Sequence, residues 1–240
     1  MTYQPTEQHL EFILHYAGMQ VPREACGVIA DGEFYPIKNL IDDRNTSFLM
    51  DPVEYAKVSS RVKRIEAIVH SHVELSPAAS ENDRASCNKL GIPFVIVSWP
   101  SGQHAVLEPV AGERAPLVGR QWCYGVHDCF SLVRDALDEY AGIDVPDFSR
   151  EEWQWWKKGG NYIAERFEAA GFVRLPQGTR PTQLDVFGMQ IASKVVNHLG
   201  VFFEPDVMLH QLQEKLSVRE IYGGIYQRAT VLHLRHRSLA

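Results

Sequence analysis

The chain has 240 residues, 45% of them hydrophobic and 22% charged, with a formal net charge of −6 at pH 7. An acidic balance excludes a general nucleic-acid binder, which needs a basic face for phosphate contacts. No apolar run is long enough to span a bilayer, and MTYQPTEQHLE lacks a charged-then-apolar signal pattern, so no membrane insertion and no export are expected.

Cys26, Cys87, Cys123 and Cys129 are few and irregularly spaced, and read as free thiols. Residues 6–18 place Leu10, Ile13, Leu14 and Ala17 on one helical face, with Thr6 as N-cap and Gly18 near the end. CGVIA, FYPIK and SFLM follow as short strands. DPVEYAKVSSRVKR opens a helix with Asp51 as cap, Pro52 at the first position and Glu54 three residues after the cap. IEAIVHSH then reads as a strand, SENDRASCNKLG as a helix closed by Gly91, and FVIVSW and HAVLE as strands. This alternation defines a first domain over 1–108, and the Pro-, Gly- and charge-rich stretch at 109–120 reads as a linker.

In the second domain, 121–240, helices precede strands. DCFSLVRDALDEYAG is a helix ending at Gly142, with Phe130, Val133, Leu137 and Tyr140 along one face. Ser149 and Glu152 form a capping box for a helix bearing Trp153, Trp155 and Trp156, and NYIAERFEAAG gives a third helix stopping at Gly171. The strands QLDVFGMQI, VVNHLGVFF, VMLHQL and ATVLHLRH come afterwards. The order implies α+β in two domains.

His70 and His72 end an apolar strand and point the same way, because side chains alternate along a strand. Two imidazoles, one carboxylate and an open position make a catalytic zinc site, and Asp83 is available as the third ligand. Ser80 and Asp83 also form a helix capping box, which by itself accounts for both. Cys129 occupies the first turn of its helix directly after Asp128, a candidate N-cap, where the helix dipole favours a thiolate. A buried structural cysteine is the plainer reading of that residue. His9, His104 and His127 read as surface or incidental, and the tryptophans as packing or a substrate ledge.

The spacing of His70, His72, Ser80 and Asp83, with Glu24 upstream in PREACGVIA, resembles the JAMM (Mov34/MPN) metalloprotease signature. The resemblance covers residues 1–108 and implies a deaminase-like α/β domain. It also implies Zn2+ on His70, His72 and Asp83, Glu24 acting through the zinc-bound water, and Ser80 polarising the scissile carbonyl. Val73 stands where that family often has proline. Gly125, Asp128 and Cys129, then LDVF, NHLGVF and Leu209-His210, resemble the NlpC/P60 family of papain-like cysteine peptidases. Carried over, Cys129 is the nucleophile, His198 the base and His210 its orienter. Phe130 and Ser131 replace the usual Ser and Gly, and Trp122 or Tyr124 occupies the region of an oxyanion-assisting tyrosine.

The fusion of the two domains resembles the tail-tip protein K family of long-tailed phages such as lambda. It implies other tail-tip proteins as partners, peptidoglycan stem peptides as substrate, assembly in the host cytoplasm and a place at the virion tail tip. A structural assembly factor that keeps the motifs, and an isopeptidase of the ubiquitin-removing kind, stand as alternatives.

Overall fold

Hydrophobic periodicity changes character after residue 108, and packing changes with it. In the computed structural model the chain divides into two compact units, Met1–Arg114 and Ala115–Ala240. The structure describes residues 2–41, 48–112, 115–148 and 154–239.

The first unit is built on a five-stranded sheet of β1 (Cys26–Ala30), β2 (Glu33–Ile37), β3 (Ile65–Val73), β4 (Phe94–Trp99) and β5 (His104–Leu107), in the order β2-β1-β3-β4-β5. Only β3 and β4 pair in parallel. Between them in sequence lies α3 (Glu81–Leu90), the crossover that a parallel pair requires. The central strands β1, β3 and β4 are buried along nearly their whole length, as continuous apolar runs are when both faces are covered. On one face α1 (Glu7–Gln20) sets Ile13 against Ile29, Val69 and Val95. On the other, Val28, Ile68 and Phe94 meet Cys87 of α3 and Tyr55 of α2 (Pro52–Ser59). Thr6 and Asp51 cap their helices as expected, although α1 runs through Gly18 to Gln20. The expected SFLM strand is reduced to an isolated bridge between Asn39 and Met50, Ser47 lying outside the described residues. Phe48 stacks on His70 instead, with ring centroids 4.6 Å apart.

The second unit carries an antiparallel six-stranded sheet: β6 (Phe172–Arg174), β7 (Val186–Met189), β8 (His198–Phe203), β9 (Val207–His210), β10 (Val218–Ile221) and β11 (Thr230–His236). Its order is β10-β9-β8-β7-β11-β6. One face packs on α4 (Cys129–Ala141), where Leu132, Val133, Ala136 and Leu137 meet Leu199, Val201 and Leu209. The buried helix face is therefore rotated from the expected one. Tyr140 stays 46% exposed at the rim, where its ring meets Phe203 edge-on and its hydroxyl accepts a bond from Arg219 at 2.7 Å. The other face gathers Phe187, Met189, Phe202 and Met208 under Tyr222 and Tyr226, the latter from α6 (Gly224–Ala229).

Gly91 and Gly142 end α3 and α4 in the left-handed conformation, as their positions after periodic runs suggested. The third helix expected at 161–171 shrinks to α5 (Tyr162–Arg166), whose first turn has no side-chain cap. The Ser149–Glu152 capping box and Trp153 lie outside the described residues. The remaining Trp155–Lys158 is a 3-10 turn, with Trp155 stacked on Tyr162. Of the expected linker, residues 115–120 fold into this unit. Leu117 joins its core, and the Arg120 guanidinium donates to Asp135 (2.6 Å) and to the carbonyls of Ala115 (2.7 Å) and Pro116 (3.1 Å).

One buried charge ties the sheet interior together. The Asp185 side chain is inaccessible and accepts bonds from Arg235 (2.7 and 2.9 Å), His233 (2.7 Å) and the Thr182 N–H (3.0 Å). Burial pushes this carboxyl up, but His233 and Arg235 outweigh it and hold the pKa at about 2. A depressed folded-state pKa contributes stability that is complete above the unfolded value of about 3.9. That contribution is lost as pH falls through about 2. Asp185→Ala, which removes the shared acceptor of Arg235 and His233, is expected to cost about 3 kcal/mol at pH 7. Urea unfolding should show the gap to wild type closing as pH approaches 2.

Candidate active sites

β3 is an interior strand, so His70 and His72 are held on one side of a rigid support. Their Nε2 atoms lie 3.3 Å apart. The His72 Nδ1–H donates to the Ser76 carbonyl at 2.7 Å, which leaves the neutral ring a lone pair on Nε2 facing the cluster. Asp83 arrives from the first turn of α3. Ser80 caps that helix reciprocally: its hydroxyl accepts from the Asp83 N–H (3.1 Å), while the carboxylate accepts from the Ser80 N–H (2.8 Å) and hydroxyl (2.7 Å). Held this way, the Asp83 oxygens stand 3.2 Å from His70 Nε2 and 3.8 Å from His72 Nε2. The cap and the cluster are one arrangement.

Tetrahedral coordination with bonds of 2.0–2.1 Å separates donor atoms by about 3.3 Å. The observed separations of 3.2, 3.3 and 3.8 Å match that spacing, and all three residues are buried. His70, His72 and Asp83 therefore form a donor set able to hold a metal ion. Burial pushes the Asp83 carboxyl up, yet the bonds from both histidines and Ser80 prevail and hold it well below the usual carboxylate range. For His72 burial acts downward, but Asp83 and the Ser76 carbonyl raise the imidazole overall.

Glu24 precedes β1, whose Cys26 pairs with His70. The ladder continues one residue further, as the Ala25 carbonyl accepts from the Ser71 N–H at 2.9 Å and the Ala25 N–H donates to Ser71 Oγ at 2.8 Å. The Glu24 carbonyl is fixed by Asn39 Nδ2 at 3.0 Å. Its carboxyl is buried, and Oε1 has no hydrogen-bond partner among the described residues. Burial raises its pKa, with the histidines opposing and Asp83 reinforcing. An orphaned carboxyl oxygen coupled to three donors suits a site built around a cation.

In the second unit the first turn of α4 is locked the same way. Asp128 accepts from the N–H groups of Ser131 (2.8 Å) and Gly125 (3.1 Å), and Ser131 Oγ accepts from the Asp128 N–H (2.7 Å). Cys129 is the first residue of the helix. It shares with His198 a cavity of about 460 Å³, walled by Trp122, Tyr124, Trp155 and Tyr162. His198 opens β8 and His210 closes β9, and their buried rings meet at 3.0 Å between Nε2 and Nδ1. Burial and the neighbouring His210 push the His198 pKa down. Burial lowers His210 too, against the opposing pull of Glu220. Both rings are thus biased toward the neutral form. With His198 Nε2–H donating to His210, His198 Nδ1 keeps a lone pair.

Three contributors were not singled out from sequence. Asn39 fixes the Glu24 backbone, and its Oδ1 accepts from Ile41 and Leu49 at 3.0 Å. Glu220 Oε2 stands 3.6 Å from His210 Nε2. His9, read as incidental, is buried, completes the α1 capping box with Thr6 and meets the Gly32 carbonyl at 2.8 Å. A lone exposed-strand glutamate or a loop asparagine carries no sequence signal. Thr6-x-x-His9 does resemble a box with histidine in the glutamate position.

Gly200 lies in β8 opposite His210, where an added Cβ would overlap Met208 Sδ. Met208 is fully buried, so its sulfur would have to shift within the packed face. Gly200→Ala is expected to cost about 1–3 kcal/mol by overpacking. The His198–His210 proton resonance should shift or broaden with it in NMR spectra.

A family model for prokaryotic homologs of the JAB domain matches residues 6–110, and one for the NlpC/P60 family matches residues 119–235. The tail tip assembly protein K of Escherichia phage N15 is 32% identical over 239 residues, 97% of this chain and 96% of that protein. The tail tip assembly protein K of Escherichia phage lambda is 35% identical over 174 residues, 72% of this chain and 83% of its own length. With 97% of the chain aligned and both domains present in order, this protein belongs to the tail tip assembly protein K family, as a fusion of a JAB-like domain and an NlpC/P60 domain.

Proposed function

We propose that this chain works at the distal end of a phage tail, where its C-terminal domain hydrolyses peptidoglycan stem peptides during tip assembly or genome entry. The observation that carries the reading is His198, which shares one cavity with Cys129 at a capped helix N-terminus and is bonded on its other side to the buried His210. In the acylation step His198 takes the Cys129 proton and the thiolate attacks the carbonyl carbon. The C–N bond then breaks, the amine leaving with the proton from His198. Water, deprotonated by the same imidazole, hydrolyses the thioester and frees the thiol. His210 orients His198, and in this reading the Cys129 backbone N–H donates to the oxyanion.

In the N-terminal domain His70, His72 and Asp83 would hold Zn2+, making this domain a zinc-dependent (iso)peptidase acting on a tail protein or on the chain itself. When bound there, zinc supplies a water of lowered pKa and a Lewis acid. Glu24, its carboxyl pushed upward by burial, would be the group that takes a proton from that water. Ser80, whose hydroxyl donates to Asp83 at 2.7 Å, would turn that proton to the carbonyl oxygen of a bound substrate. The relatives' name, tail tip assembly protein, favours other tail-tip proteins as partners, assembly in the host cytoplasm and a place at the virion tip. It also supports a second reading, an assembly factor acting by binding alone.

Cys129→Ala is expected to lower release of peptides from purified peptidoglycan by roughly three orders of magnitude. Mass spectrometry of the digest measures this, and full hydrolysis by the variant would overturn the assignment. Elemental analysis of the full chain should give one zinc per molecule, lost in His70→Ala/His72→Ala. Tails that assemble and inject normally with both variants would favour the binding-only reading.

A further inference from the structure

His210 has been described as the residue that orients His198, but its own outer nitrogen is left over. Nε2 is buried and has no hydrogen-bond partner among the described residues, with Glu220 Oε2 standing 3.6 Å away. That distance is too long for a hydrogen bond to the neutral ring and right for an ion pair with the charged one. Three titratable groups pack against His210: His198 from β8, Glu220 from β10 and Tyr226 from α6. Tyr226 lays its ring edge-on to the imidazole, centroids 4.8 Å apart, and burial together with the Glu220 charge pushes its phenol pKa up. Arg219, the next residue along β10, is engaged elsewhere, with Tyr140 and the Phe203 ring. It does not neutralise Glu220.

We propose that Glu220 is a positioning residue for the cysteine nucleophile, acting through His210 to stabilise the positive charge that His198 acquires. The proposal rests on the cysteine-peptidase reading of this domain. When the Cys129 proton moves to His198 Nδ1, the imidazolium shares its charge along Nε2–H toward His210 Nδ1. The His210 ring then presents Nε2–H to a carboxylate that closes the row Cys129, His198, His210, Glu220. No proton need leave His210. The carboxylate acts by its charge, and because Glu220 is 46% exposed on its side chain that charge is accessible to salt.

The test uses the full chain in a Cys123→Ser background, so that Cys129 is the accessible thiol, Cys26 and Cys87 being buried. Iodoacetamide alkylation of Cys129 is followed by mass spectrometry from pH 5 to 9, alongside the pH profile of peptidoglycan hydrolysis. Glu220→Gln is expected to slow alkylation at pH 7 roughly 10-fold and to bring the alkaline limb of hydrolysis down by about one pH unit. The signs agree, since losing the negative charge makes the imidazolium harder to hold. KM should be unchanged, and raising salt to about 1 M should shrink the difference from wild type. Glu220→Asp, which keeps the charge, should recover most of the rate, and Tyr226→Phe should leave the limb in place. Profiles of wild type and Glu220→Gln that superimpose, or a loss indifferent to salt and not restored by aspartate, would overturn the role of Glu220. If His198→Ala leaves Cys129 alkylation unchanged at pH 7, there is no cysteine–histidine pair, and the peptidase reading itself fails.

Discussion

A reciprocally capped first turn is the constraint on which both sites depend. The opening N–H groups of a helix lack partners within it, and a cap residue bonded to the third residue and back satisfies two of them at once. In α3 the third residue is Asp83, so the device that starts the helix also aims the carboxylate at the two histidines. In α4 the cap is Asp128 and the third residue Ser131, which freezes the turn around Cys129. Each cap is worth about 1 kcal/mol, a small share of the stability of a domain. Its larger consequence is geometric, because a side chain on an unfrayed first turn has a defined direction.

The sheets supply the other half of each arrangement, in two different ways. In the first unit both imidazoles come from one strand, two residues apart, with β1 and β4 bonded on either side. Both rings are carried by one interior strand, which fixes their backbone positions relative to each other. In the second unit the imidazoles come from neighbouring strands, and their approach depends on how closely β8 and β9 pack. Gly200 makes that possible by leaving room for the Met208 sulfur across the ladder. The glycine after His-Leu is thus a packing requirement of the histidine pair, two residues removed from the chemistry.

Much of this was legible in the sequence because the signals are local. Ser80-x-x-Asp83, Asp51-Pro52 and Asp128-Cys129 are short-range patterns whose energetics are decided within one helical turn, and the structure keeps all three. His70 and His72 were readable because strand periodicity fixes their common side. What escaped depends on tertiary placement. Glu220 sits on a four-residue edge strand, three of whose residues are exposed, so it shows no alternation. Its relation to His210 exists only once β9 and β10 pair. Asn39 and Phe48 act from an irregular segment, meeting Glu24 and His70 through contacts more than a dozen residues away in sequence. The α4 face was misread because Tyr140 has the period of a core residue, but its hydroxyl draws it to the rim beside Arg219.

The two sites resolve the same physical problem, burial of ionisable groups, in opposite directions. Around His70 and His72 burial is answered with charge: Asp83 stays ionised well below the usual carboxylate range, and His72 is raised toward the charged form. That balance leaves Glu24 as the group that burial turns toward its neutral form. Around Cys129 burial is answered with neutrality, since both imidazoles are pushed toward the uncharged state and satisfy one another with a single shared proton. On the cysteine-peptidase reading proposed above, His198 is a neutral, hydrogen-bonded base, and the charge it would acquire faces, through His210, the Glu220 carboxylate, which is half open to solvent. A fully buried carboxylate in that place would hold an imidazolium more tightly and weaken the base. The exposure of Glu220 would leave its pull enough to favour the transfer while letting the proton go on to the leaving amine.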